Sequence, residues 1–131
     1  MSEMFELIVY CRGSEIYCES VLDDIEQHKK YFAHRIYNNH VLFENTHYSI
    51  KDYDFLFYNG RTNDNTIIVE NNVATFCMKI FNGVVIKQFS VASSSQDNEL
   101  IFLVKYLEEL HALPSVCKCI GDTIRKAILK K

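Results

Sequence analysis

Phe5-Glu6-Leu7-Ile8-Val9-Tyr10-Cys11-Arg12-Gly13-Ser14-Glu15 is the stretch whose reading decides the fold. Three aliphatic residues in succession between aromatic ends mark a strand covered on both faces, the habit of parallel sheets, rather than the alternation of a half-exposed strand. Cys11-Arg12-Gly13 breaks the run. Ser14 then caps a helix with Glu15 in its first turn, and Ile16, Val21, Leu22 and Ile25 recur at helical spacing to about Lys29. Strand, loop and helix in immediate succession begin an α/β alternation.

Outward from that unit, residues 32–37 and 41–43 read as short strands. Residues 47–50 pair back across Glu44-Asn45-Thr46. Excursions this short are expected to decorate a sheet. A short apolar segment, 52–58, closes at Asn59-Gly60 and a polar loop to Asn65. Thr66-Ile67-Ile68-Val69 is the clearest β-branched run and is read as a second central strand, ending at Glu70-Asn71-Asn72. Asn82-Gly83 precedes a third strand, Val84-Val85-Ile86, and Ser93-Ser94-Ser95 makes a polar loop. Asp97 is placed to cap a helix whose apolar stripe is Leu100, Leu103, Val104, Leu107 and Leu110, with Pro114 as its stop. A last helix is expected over 121–129.

The 131 residues, 48% hydrophobic, suffice for one core of ordinary size and imply a single domain over 1–131. A net charge of -3 offers no broad positive field, so nucleic acid is not an expected partner. No apolar run approaches the roughly 20 residues needed to span a bilayer, and the acidic start lacks a signal-peptide pattern. The five cysteines, Cys11, Cys18, Cys77, Cys117 and Cys119, are odd in number and irregular in spacing. Reduced thiols in an intracellular, reducing compartment are expected.

Several segments, in order, resemble one family. Phe5-Glu6-Leu7-Ile8-Val9-Tyr10 is similar to its second core strand, and Ile16-Tyr17 with Val21-Leu22-Asp23 to the helix after it. Phe32-Ala33-His34-Arg35-Ile36-Tyr37 and His40 stand where it has F-x-H-R-L-(Y/F)-x-x-H. Ile50-Lys51-Asp52 resembles its Lys-Asp motif, and Ile67-Ile68-Val69-Glu70-Asn71 its strand ending I-I-x-D-(N/D). Asn82-Gly83-Val84-Val85-Ile86-Lys87 resembles N-(G/A)-I-P-I-K, and Asp97-Asn98-Glu99-Leu100 its D-x-(E/A)-L helix start. The family is that of the NLI-interacting-factor-like phosphatases, relatives of the RNA polymerase II C-terminal-domain small phosphatases within the haloacid dehalogenase superfamily. The resemblance covers about residues 5–110 and implies a three-layer α/β sandwich with a mainly parallel sheet.

It also implies a site from which this chain departs. Active members carry Asp-x-Asp-x-(Thr/Val) after a first core strand, one aspartate attacking phosphorus and the other serving as general acid and base. With a strand already under way at Phe5, that first core strand is expected to be missing. In the related fold it lies between the strands at 5–10 and 66–69. Either those two pair directly or another polypeptide fills the gap, because unpaired strand edges invite association. Cys11 stands where the family places a phosphate-binding Thr or Ser, and a thiol is a weak donor. Lys51 matches the lysine that steadies the phosphoryl group. Glu70 replaces the metal-binding Asp, with Asn71 beside it as a further candidate ligand, and one carboxylate is too few for magnesium.

The expected function is therefore a catalytically degenerate phosphatase-like domain that binds a protein or acts in regulation, needs no cofactor, and meets its partner or a second copy through a sheet edge. The alternative is a magnesium-dependent protein serine/threonine phosphatase whose nucleophile strand comes from another chain. A third is a structural part of a larger assembly. Nucleus or cytoplasm is preferred to mitochondrion. The plainer readings stand beside these. Lys51 can be a solvated loop residue, Cys11 beside Arg12 a packed thiol with no Cys-x5-Arg loop, and Asp52-Tyr53-Asp54 a turn rather than a displaced nucleophile motif. His111 with Cys117 and Cys119 falls short of a four-ligand zinc site. Residues 48–58 can be a peptide groove or core. His34 and His40 are expected to pack around the excursion, and Lys126, Lys130 and Lys131 to be a solvated helix end.

Overall fold

In the computed structural model, which describes residues 3–37, 41–44, 49–87 and 97–129, the chain is α/β and divides into two units, Met1–Val41 and Leu42–Lys131.

The first unit is a β-α-β turn of chain. β1 (Leu7–Tyr10) pairs parallel with β2 (Phe32–Ile36) across α1 (Glu15–Ile25). The register runs Leu7↔Phe32, then slips by one residue to Ile8↔His34, Val9↔Arg35 and Tyr10↔Ile36. Cys11 N continues the ladder by donating to Ile36 O at 2.8 Å. Ser14 caps α1 as expected, its hydroxyl accepting from Tyr17 N at 3.4 Å. Cys18 and Leu22, one helical turn apart, carry the buried face. Two expectations are corrected. Residues 32–36 are not a decoration but the direct partner of β1, and β1 is half-buried along its length rather than sealed on both faces.

α1 also stops at Ile25 instead of continuing to Lys29. The reason lies in Glu26, whose carboxylate turns back to accept from Tyr31 N at 2.6 Å and Phe32 N at 3.0 Å, satisfying the backbone where β2 begins. Arg35 of β2 then reaches Glu19 at 2.9 Å, Asp23 at 2.9 Å and Glu26 at 2.6 Å, three carboxylates on one face of the helix. The hydrogen bond from Arg35, reinforced by the Phe32 amide, pulls the Glu26 carboxyl down from 4.5 to about 2. A folded value below the ordinary one means that ionised Glu26 stabilises this unit above pH 4.5 and that the contribution fades as pH falls toward 2. Glu26→Gln is therefore expected to lower stability at neutral pH and to flatten the acid limb of a far-UV circular-dichroism titration between those two values. An unchanged acid limb would show that the carboxylate does not hold helix and strand together.

β3 (Val41–Glu44), whose first residue ends the first unit, and β4 (Ser49–Lys51) form a two-stranded sheet. Asn45 and Thr46 of the turn expected at 44–46 lie outside the described residues, as does His40. A 3-10 turn, Asp54–Leu56, follows. The loop after it uses Asn59 (φ 54°) and Gly60 (φ 87°), left-handed positions that suit those residue types. Asn65 accepts from Thr62 N at 2.7 Å and donates to Gly60 O at 2.8 Å, which fixes the loop. β5 (Ile68–Glu70) and β6 (Gly83–Val85) pair parallel, with Ile86 N extending the ladder to Glu70 O at 3.0 Å.

Between them runs a ten-residue 3-10 segment, Val73–Asn82, broken by non-helical backbone at Phe76 and Lys79. Asn72 caps it by accepting from Ala74 N at 3.0 Å. The segment packs on β4, β5, β6 and the last helix, and Phe76, 1% exposed, is its anchor. A Cβ at residue 83 would lie 1.8 Å from the Phe76 ring, so the first residue of β6 has to be glycine while Phe76 stays in place. Asn82 is buried and donates to Asn63 O and Thr66 O at 2.8 Å each, tying the segment's end to the loop before β5.

α2 (Glu99–His111) follows Asn98, which makes no side-chain cap bond, and the Asp97 carboxylate accepts from Glu99 N at 2.9 Å. α3 (Val116–Leu129) starts five residues ahead of the sequence expectation. Ser115 accepts from Lys118 N at 3.3 Å and donates to Asp64 at 2.6 Å, while Val116 N donates to Asp64 O at 2.9 Å. Asp64 thus clamps the helix start to a loop 51 residues away. Leu110, Val116 and Ile120 form the core between α2 and α3, with Ile67 and Val84 of the strand region against them. No helix is long and apolar enough to cross a membrane among the described residues.

Candidate functional site

The expected phosphate-site lysine and metal-site carboxylate meet at the carboxyl ends of their strands. β4 ends on Lys51 and β5 on Glu70, and Lys51 Nζ lies 3.2 Å from Glu70 Oε2. Two residues 19 apart in sequence are joined because both strands are laid against the same 3-10 segment. Lys51 is 5% exposed, so it is a buried cation and not the solvated loop residue of the plainer reading. An ammonium removed from water needs an opposite charge, and Glu70 supplies it.

Glu70 is held twice more. Its second oxygen, Oε1, accepts from Asn71 N at 3.1 Å, and its backbone carbonyl belongs to the β5–β6 ladder. Asn71 is exposed. Glu70 borders a cleft of about 490 Å³ lined also by Val69, Asn71, Ile86, Lys87 and the first turn of α2. Across it Glu99 accepts from Lys87 N at 3.1 Å. Open α/β sheets bind ligands beyond the carboxyl ends of their strands, which is where this cleft lies.

Magnesium takes a near-octahedral oxygen shell at about 2.0–2.1 Å and draws on at least one carboxylate it can approach freely. Glu70 has one oxygen against an ammonium and the other against an amide N–H. Among the described residues no three His, Cys, Asp or Glu side chains gather into a possible metal site. The donors present do not fit a magnesium ion.

Cys11 belongs to the first unit, half-buried just after β1, with its amide committed to β2. His34 lies on β2 with its imidazole 3.6 Å from the Glu6 carboxylate and more than half exposed. Asp52-Tyr53-Asp54 is a turn: Asp52 accepts from Asp54 N at 2.9 Å, Asp54 pairs with Lys79 at 3.4 Å, and Tyr53 is buried. From the aromatic stretch, Tyr53 is core and Tyr58 exposed. Cys117 points to Asp64 at 3.5 Å, within the clamp at the start of α3. Sequence reading missed both that clamp and the Arg35 cluster. The first had no local signal; the second was visible in the spacing of Glu19, Asp23 and Glu26.

Residues 1–117 match the family of NLI interacting factor-like phosphatases. Among curated proteins the chain is 26% identical over 125 residues to CTD small phosphatase-like protein 3 of Caenorhabditis elegans, covering 95% of this chain and 40% of that protein. It is 27% identical over 125 residues to CTD small phosphatase-like protein 2 of Dictyostelium discoideum, covering 95% of this chain and 21% of that one. An uncharacterised protein of Schizosaccharomyces pombe is 28% identical over 116 residues, 88% of this chain and 34% of its own length. The chain spans less than half the length of these relatives. A match over 1–117, with the Lys-Asp and I-I-x-(acid)-Asn segments brought together at the ends of β4 and β5, shows that the chain belongs to the NLI interacting factor-like phosphatase family.

Proposed function

We propose that this domain is a phosphatase-like module that binds a protein partner or phosphopeptide and does not, with these 131 residues alone, turn phosphate over. The observation that carries the reading is the Lys51–Glu70 pair: the cation that would steady a phosphoryl group is buried and already neutralised. Covalent phosphoryl transfer also needs a poised nucleophile and a general acid. The sequence spells Asp-x-Asp once, at Asp52-Tyr53-Asp54, where both carboxylates are spent on a turn and on Lys79. The domain is read as haloacid-dehalogenase-like, without a cofactor, in a reducing intracellular compartment of nucleus or cytoplasm.

The 131-residue chain, assayed with magnesium and an aryl phosphate, is expected to release no phosphate above the buffer blank. Turnover that disappears in Lys51→Ala would overturn the reading.

One observation favours a second reading. β5, which ends on Glu70, has a strand neighbour on one side only among the described residues. A strand from another polypeptide, added at such an edge, would bring a nucleophile to Lys51 and Glu70 and make the assembly a protein serine/threonine phosphatase; two relatives are named CTD small phosphatase-like proteins. Co-purification with mass spectrometry, followed by the same phosphatase assay on the complex, separates a binding module from an enzyme completed in trans. Light scattering of the pure chain tests association through the same edges between two copies.

A further inference from the structure

We propose that Asn59 is a site of spontaneous covalent modification, deamidating through attack by the Gly60 amide to give isoaspartate, while the fold seals the chain's other Asn-Gly pair, Asn82-Gly83, against the same reaction. The proposal is independent of what the Lys51–Glu70 pair does.

Deamidation needs the next backbone nitrogen to reach the side-chain carbonyl carbon, and a glycine there puts no Cβ in the way. The Gly60 nitrogen gives its proton to solvent base and bonds to Asn59 Cγ; the Cγ–Nδ2 bond breaks and ammonia leaves. Water then opens the succinimide, so water is consumed, ammonia is released and nothing is oxidised. Hydrolysis at the Asn59 main-chain carbonyl leaves the chain running through Cβ and Cγ, which is isoaspartate; hydrolysis at Cγ gives aspartate. Asn59 and Gly60 are both exposed and both hold positive φ, at the centre of a turn closed by Arg61 N donating to Tyr58 O at 3.1 Å. A Cβ built on Gly60 would meet nothing beyond its chain neighbours within 4 Å, so the ring has room to form. Asn82 is the contrast. It is 3% exposed, its side-chain nitrogen donates to Asn63 O and Thr66 O at 2.8 Å each, Gly83 N donates to Ile80 O, and the Phe76 ring covers Gly83. The modified turn also adjoins the loop that clamps α3. Gly60 O accepts from the Asn65 side chain at 2.8 Å, and the neighbouring Asp64 accepts from Ser115 Oγ and Val116 N. Isoaspartate adds a main-chain carbon between residues 59 and 60, which displaces that carbonyl and passes the change to the start of α3.

The test incubates the full 131-residue chain at physiological temperature in mildly alkaline buffer, folded or in urea, and follows both sites by peptide mass mapping with isoaspartyl methyltransferase labelling. In the folded chain Asn59 is expected to convert at least about tenfold faster than Asn82, because Asn82 reacts only from an opened form. In urea the two rates should converge. Folded Asn82 converting as fast as Asn59 would overturn the proposal, and so would Asn59 keeping its amide while both sites convert in urea; neither arm depends on a variant. Asn59→Gly, which keeps the left-handed turn, is expected to remove most of the isoaspartate label from the folded chain. An undiminished label would place the chemistry elsewhere and defeat the assignment. Hydrogen exchange of the Val116 amide should quicken in the purified isoaspartyl chain. Unchanged exchange would confine the change to its own turn and break the link to α3.

Discussion

Lys51→Met is expected to cost about 3–5 kcal/mol of folding stability, because it leaves a carboxylate in a largely dehydrated place without its counter-charge. The size follows from burial. Lys51 is 5% exposed and the Glu70 side chain 19%, so little water is on hand to replace the lost ammonium. The surface pair Lys29–Glu3, at 4.0 Å with both side chains more than half exposed, has water as a ready substitute, and Lys29→Met is expected to change stability by less than about 1 kcal/mol. The double replacement Lys51→Met/Glu70→Leu removes both charges together. It should recover most of the loss or even exceed wild type, since burying an ion pair rarely gains what desolvating it costs. Urea denaturation of the two single variants and the double gives the coupling directly. A single variant within experimental error of wild type would mean that the pair is not buried in solution, and the reading of Lys51 as a neutralised cation would fall with it.

This pair also shows how far sequence reading reaches. Lys51 and Glu70 could each be singled out by resemblance, and the ends of β4 and β5 fell within a residue or two of expectation, since Ile67-Ile68-Val69 has little other option than a strand. Their contact could not be read, because it depends on two strands packing against an intervening segment, and nothing local encodes that. Ser14 was legible as a cap because the mechanism is local, a hydroxyl three residues from the amide it accepts. The start of α3 was not. Pro114 marks where a helix cannot continue, but the cap at Ser115 is completed by Asp64, which only the fold brings near. The segment Val73–Asn82 went unread for a different reason. Its turns are 3-10, with side chains repeating every three residues and two breaks inside, so neither a 3.6-residue nor a two-residue period fits.

Phe76→Ala should cost the second unit as much as the loss of Lys51, about 3–5 kcal/mol, because deleting a buried aromatic side chain forfeits both its transfer energy and its contacts. The ring is 1% exposed and lies against Gly83, where the absence of a Cβ is what admits it. The cavity left behind would be bounded by backbone of β6, which cannot close inward without breaking the Ile68↔Gly83 register. Collapse is thus resisted, the condition under which such substitutions cost most. Met78, two residues on and 67% exposed, is the internal control: Met78→Ala should change stability by no more than about 0.5 kcal/mol. The loss at Phe76 also reaches the site. The segment it anchors is what β4 and β5 share, so loosening it frees Lys51 and Glu70 from each other. Hydrogen exchange of the Asn71 amide, now donating to Glu70, should quicken in Phe76→Ala and stay unchanged in Met78→Ala. Equal exchange in both variants would show that the ion pair holds β4 to β5 by itself, without the segment between them.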